Sequence, residues 1–110
     1  QVAAICAAPR ILGHLGVLEG KQAVCYPTME GELRGAQIPD TTTAVSGNLI
    51  TARGMGCAID FGLKIVEHYA GKDKAMELEE QIVYGIYRRG SCTTRIGKLR
   101  DRILLLALIT

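Results

Sequence analysis

Tryptophan is absent from this chain, phenylalanine occurs once at Phe61, and there are only four tyrosines. The interior must therefore be built from Ile, Leu, Val, Ala and Met rather than from aromatic rings. Clustered cysteine is also missing. Cys6, Cys25, Cys57 and Cys92 stand far apart, with no CxxC pair and no histidine to complete a ligand set. That excludes a dense secreted disulfide scaffold and a zinc site. It predicts reduced thiols in a cytoplasmic compartment, with no metal and no cofactor. The apolar run "ILLLALI" at 103–109 has seven residues, against the roughly 20 needed to span a bilayer. No signal peptide, internal repeat or low-complexity stretch is visible.

What is present describes a folded chain. Hydrophobic residues make up 48% and charged residues 22% of 110 residues, which suits one globular domain and excludes a disordered chain. Charge is unevenly placed. Residues 1–87 carry seven Lys/Arg against ten Asp/Glu, whereas residues 88–110 carry six against one. A change of character near Arg88 follows, giving a body at 1–87 and a basic, then apolar, tail at 88–110.

The element pattern alternates. "VAAIC" is short and continuously apolar, as in a buried parallel strand. Pro9 then suits a first helical turn, and "RILGHLGVLEG" reads as a helix ending at Gly16 or Gly20. "KQAVCYP" reads as a second strand stopped by Pro27, followed by a polar connection. "TTTAVSGNLITARG" predicts a hairpin turning at Ser46-Gly47-Asn48. A helix follows, with Ile59, Leu63, Val66 and Ala70 on one face and Gly71 at its end. Another is predicted over "KDKAMELEEQIVYGIY", burying Ala75, Leu78, Ile82 and Ile86. Together these predict an α/β sandwich with a largely parallel sheet. So few strands make an incomplete sheet, and the chain starts at Gln1, already inside a strand. It reads as a truncated, C-terminal half of a larger domain.

Cys6 falls at the turn between the first strand and first helix. In open α/β sheets ligands bind beyond the carboxyl ends of the strands, where free N–H groups and a helix start favour an anion such as a thiolate. Cys6 is thus placed as a nucleophile or an oxidisable thiol. The competing reading is a small buried hydrophobe.

Three stretches, "AAICAAP", "GNLITARGMGCAIDFGLKIVEHYAGKDKA" and "QIVYGIY", resemble the C-terminal half of the ThiJ/PfpI superfamily over residues 1 to about 87, in order and spacing. They are most similar to its deglycase branch. The resemblance implies a flavodoxin-like three-layer sandwich, a homodimer, and Cys6 as the elbow nucleophile. It implies glutathione-independent glyoxalase or deglycase activity on small dicarbonyls or their adducts, and protection against oxidative stress. A non-catalytic redox or chaperone role through Cys6 is the alternative, and an inactive fragment a third. The backbone N–H of Ala7 would hold an oxyanion. Arg53, Gly54, Met55 and Gly56 match the loop beside the pocket and dimer interface.

Two positions depart from relatives. Ala7 follows Cys6 where protease-like members carry His, which excludes a Cys–His protease dyad. Tyr26 stands where some members carry a pocket histidine. The resemblance also implies a glutamate acid/base and a glycine-rich turn from an upstream half that this chain does not contain. The acidic residues at 30–40 have no apparent reason to approach Cys6. His14 and His68 are read as surface residues, Cys25 as a core thiol and Cys57 as a helix-cap position. The tail is read as an extension without nucleic-acid or membrane binding.

Overall fold

In the computed structural model, residues 1–84 are described. Two compact units are distinguished, Gln1–Ala75 and one beginning at Met76. The expectations for Ile86, Cys92 and the tail lie outside the described residues.

The first unit is a small mixed sheet of order β1-β3-β2, formed by β1 (Val2–Ile5), β2 (Thr43–Ser46) and β3 (Leu49–Ala52). β1 runs parallel to β3, with Ile5 beside Ala52, and β2 is antiparallel to β3. The sheet is therefore less parallel than anticipated, because the hairpin supplies one of its two pairings. The turn lies at the expected place. Ser46 pairs with Leu49 across a two-residue loop, and only Gly47 has positive φ, at 60°, the pattern of a type II′ turn.

Side-chain alternation gives the sheet two covered faces. Ala44, Ser46, Leu49 and Thr51 share one face by register. There Leu49 joins Leu18, Ala23, Cys25 and Leu33 in the apolar core. The other face carries Ile50 and Ala52, both fully buried, and α2 (Ala58–Ala70) packs across the sheet.

"KQAVCYP" does not form the expected strand. Its amides go elsewhere: Gln22 N–H donates to Ser46 Oγ at 3.2 Å, and Val24 N–H to Thr51 Oγ1 at 3.0 Å. Only one bridge, between Gln22 and Gln37, has strand character. The segment crosses a sheet face with mixed partners, side-chain oxygens for Gln22 and Val24 but the backbone carbonyls of Gln37 and Cys6 for Ala23 and Tyr26, so its apolar pattern reports burial and not a continuous ladder.

α1 (Pro9–His14) ends as the glycine signal requires. Gly16, with φ 75°, donates to the Gly13 carbonyl and Val17 to that of Leu12, a Schellman closure that selects Gly16 over Gly20. α2 ends at Gly71, also at positive φ. Its expected buried face is only half-buried at Leu63 and Val66, and Ile59 and Ala70 are exposed.

α3 (Lys72–Gln81) stops earlier than predicted, leaving Ile82 outside the helix and exposed. Val83 donates to the Glu80 carbonyl and Tyr84 to that of Glu79, with Val83 at φ 58°. This is the same closure with a β-branched residue where glycine is usual, so composition did not reveal it.

Candidate functional site

β1 and β3 are parallel and end side by side at Ile5 and Ala52, so the residues that follow them share one edge of the sheet. Cys6 leaves β1 with φ 64°, a left-handed conformation that costs a non-glycine residue roughly 1–2 kcal/mol. It is held from both sides. Its N–H donates to the Ala52 carbonyl at 3.0 Å, and its carbonyl accepts from Tyr26 N–H at 2.7 Å. Ala8 N–H then closes the turn onto the Ile5 carbonyl at 3.2 Å, and α1 begins at Pro9. The result is a sharp strand-to-helix elbow presenting a half-buried thiol. Among the described residues Ala7 N–H donates no hydrogen bond.

The second wall comes from the end of β3. Arg53 is committed to holding its surroundings. Nε donates to the Thr41 carbonyl at 2.7 Å, one terminal nitrogen donates to the Pro39 carbonyl at 2.8 Å, and the other meets Glu30 Oε1 at 3.2 Å. It fastens the 39–42 connection to the edge of the site, and its guanidinium is not free for a ligand. Gly54 is fully extended, and a Cβ placed on it would stand 3.9 Å from the Tyr26 ring. Cys6, Ala7, Tyr26 and Gly54 thus gather along one edge. Met55, 89% exposed, and Gly56 sit on the following 3-10 turn, and among the described residues no hydrogen bond joins either to Cys6. Cys57 is cap-like as anticipated: its Sγ accepts from Gly54 N–H at 3.2 Å.

The 30–40 connection is closer to the elbow than its sequence suggested. A 3-10 turn at Glu30–Glu32 packs against α1. Glu32 meets Arg10 at 3.3 Å and His14 at 3.2 Å, and Arg10 Nε donates to the Ala7 carbonyl at 3.1 Å. The i,i+4 placement of Arg10 and His14 on α1 was the available signal, since both face the same way. The partner glutamate lies 18–22 residues away, and local spacing does not reveal it.

Cys25 lies in the core, fully buried, where burial raises its thiol pKa above the ordinary value and Glu30 and Glu32 add to the effect against Arg53 and Arg10. Among the described residues no cluster of three or more His, Cys, Asp or Glu is arranged to hold a metal ion. Among them too, no helix is long and apolar enough to cross a membrane.

Residues 1–68 match the DJ-1/PfpI family. Protein dj-1beta of Drosophila melanogaster is 44% identical over 84 residues, covering 74% of this chain and 45% of that protein. Its crystal structure superposes with a TM-score of 0.68 over the same shares. Glutathione-independent glyoxalase DJR-1.2 of Caenorhabditis elegans is 33% identical over 79 residues, 70% of this chain and 42% of its own length. The structure of oxidized DJ-1 from Toxoplasma gondii matches with a TM-score of 0.69 and 34% identity, over 74% of this chain and 45% of that one. The chain therefore spans about half the length of these relatives.

Proposed function

The chain belongs to the DJ-1/PfpI family, and we propose that it carries the nucleophile half of a glutathione-independent glyoxalase site acting on small dicarbonyls or their adducts. The strained backbone of Cys6 is the observation that carries this reading. A left-handed non-glycine residue persists only where the surroundings enforce it, and here two backbone hydrogen bonds do so at a strand-to-helix elbow. A relative of the same family is named for that activity.

In this reading the Cys6 thiolate adds to the aldehyde carbon of a dicarbonyl, and the oxygen becomes an oxyanion facing Ala7 N–H. A proton moves from the former aldehyde carbon to the neighbouring carbonyl carbon, leaving a thioester on Cys6. Water then releases a 2-hydroxy acid and restores the thiolate. The base for the proton transfer is not assigned within this chain, since Glu30 and Glu32 are tied to Arg53, Arg10 and His14. Tyr26 borders the substrate beside Gly54, and Arg53 holds the loop running through Met55 and Gly56. The proposal extends to a flavodoxin-like complete domain, with residues 1–87 in its C-terminal half and 88–110 as a tail, and to a cytoplasmic homodimer.

The test is lactate formation from methylglyoxal without glutathione. It is measured for the chain alone and joined in frame to the part of the Drosophila relative it does not cover. Lactate from the joined protein, abolished by Cys6→Ser, is the expected result. Lactate unchanged in Cys6→Ser overturns the reading.

A redox role through the same thiol is favoured by one observation. Among the described residues Cys25 and Cys57 are buried while Cys6 is not, so of these three peroxide would meet Cys6 first. Sulfinic acid confined to Cys6, with no dicarbonyl turnover in the joined protein, would select that reading.

A further inference from the structure

Two peptide planes meet at Ala7, the first held by a donor from outside the turn and the second by Arg10 in the first turn of α1. The Cys6–Ala7 plane is held through its carbonyl by Tyr26 N–H at 2.7 Å. Because the peptide is trans, Ala7 N–H then points the opposite way. The Ala7–Ala8 plane is held through its carbonyl by Arg10, whose N–H approaches at 3.2 Å and whose Nε approaches at 3.1 Å. The other end of that guanidinium rests on Glu32 Oε2 at 3.3 Å, and Glu32 Oε1 is engaged by His14 at 3.2 Å. The Gly13 backbone lies directly against the Glu32 carbonyl, which fixes the 3-10 turn and its carboxylate relative to α1.

We infer that Arg10, braced by Glu32, is a positioning residue that steadies the Ala7–Ala8 plane and so, together with the Tyr26 bond on the plane before it, keeps Ala7 N–H aimed before a carbonyl oxygen develops charge. The inference rests on the reading of Ala7 as the oxyanion donor. It assigns Arg10 no contact with substrate. An anion-stabilising donor contributes only when it is already aimed at the place where charge appears, and aim at one amide is set by the planes on both sides of it. The planar fork of arginine can hold two acceptors at once in fixed geometry. A mere tether between α1 and the 3-10 turn would need only the Arg10–Glu32 pair. The bond to the Ala7 carbonyl is the additional feature.

Two reactions of the same thiol separate aim from attack. Acylation of Cys6 by p-nitrophenyl acetate passes through a tetrahedral oxyanion, forming a thioester and releasing p-nitrophenolate. Alkylation by iodoacetamide displaces iodide and develops no oxyanion. Both rates are read on the 110-residue chain, less the Cys6→Ser background, with failure of Cys25 and Cys57 to label confirming the fold.

Arg10→Ala is expected to slow acylation about tenfold and leave alkylation unchanged, less than the roughly hundredfold or greater loss on removing a donor outright. The exchange Arg10→Glu with Glu32→Arg restores the ion pair but leaves no side-chain donor for the Ala7 carbonyl, so acylation should stay slow. This pair carries the test if Arg10→Ala unfolds. Equal loss in both reactions, no loss in either, or recovery in the exchange overturns the inference. Wild-type acylation no faster than in Cys6→Ser overturns it together with the reading of Ala7. Normal acylation with no lactate from the joined protein overturns only the glyoxalase assignment.

Discussion

The backbone of Gly13 on α1 lies so close to the carbonyl oxygen of Glu32 that a methyl group on Gly13 would collide with it. This contact joins a helix to a 3-10 turn across 19 residues of sequence and fixes Glu32 relative to Arg10 and His14. Two effects of Gly13→Ala oppose each other. Alanine in a helix interior gains about 0.5–1 kcal/mol over glycine. Forcing an extra carbon against backbone costs about 1–3 kcal/mol, because neither partner has a rotamer to change. The clash should win, and Gly13→Ala should lower Tm by several degrees. A higher Tm in thermal unfolding would mean that the turn moves aside freely.

Cys6 should be a place where stability and chemistry conflict. At φ 64° a glycine relieves about 1–2 kcal/mol of strain and gives back about 0.5–1 kcal/mol through the entropy of the unfolded chain. Cys6→Ala keeps the strain and loses the thiol. Denaturant unfolding should therefore find Cys6→Gly more stable than Cys6→Ala by up to about 1.5 kcal/mol, with both unreactive. If the alanine variant is equal or better, the elbow is not strained and the main support for a nucleophile there is gone.

How much of this was legible depended on the range of the interaction. The hairpin and the ends of α1 and α2 are local, and Gly16, Gly47 and Gly71 announce them through conformations that glycine adopts at little cost; β1 is parallel as its apolar run predicts, but Val2 and Ala3 are exposed where that run predicts a buried strand. The elbow was legible for the same reason, as an apolar run followed within three residues by a helix-starting proline. Segment 21–27 carries a strand's apolar pattern without forming one, because buried strands and buried crossings share that pattern and only the partners distinguish them. Val24 bonds a side chain 27 residues away, and Glu32 reaches Arg10 across 22. Neither separation leaves a periodic trace. α3 ended early because Val83 accepts a backbone conformation that its own propensity opposes.

The Thr51 hydroxyl explains why that crossing is fixed, and it can be tested at a single atom. Thr51 is fully buried in the central strand, and its Oγ1 accepts Val24 N–H at 3.0 Å. Thr51→Val preserves shape and β-propensity but leaves a buried amide without an acceptor, at a cost of about 1–3 kcal/mol. Thr51→Ser keeps the oxygen and should lose less. Hydrogen exchange at Val24 should accelerate in the valine variant and stay protected in the serine variant. Equal protection in both would show that the amide finds another partner.

Cys25 predicts the alkaline limb of the stability curve. Burial raises its thiol pKa in the folded chain above the ordinary value of 9.0, with Glu30 the next cause. The folded state therefore holds this proton at a pH where the unfolded chain has released it. The protonated thiol's contribution is complete below pH 9 and is lost as pH rises from there through the folded value, since the unfolded state binds fewer protons. One such group lowers stability by at most about 1.4 kcal/mol per pH unit. Cys25 Sγ lies 3.3 Å from the Tyr26 carbonyl, a bond that a serine hydroxyl can also donate. Cys25→Ser should consequently fold with a flatter dependence between pH 9 and 10.5 than the parent chain, measured by urea unfolding at each pH. A slope that persists unchanged in Cys25→Ser would place the titrating group elsewhere.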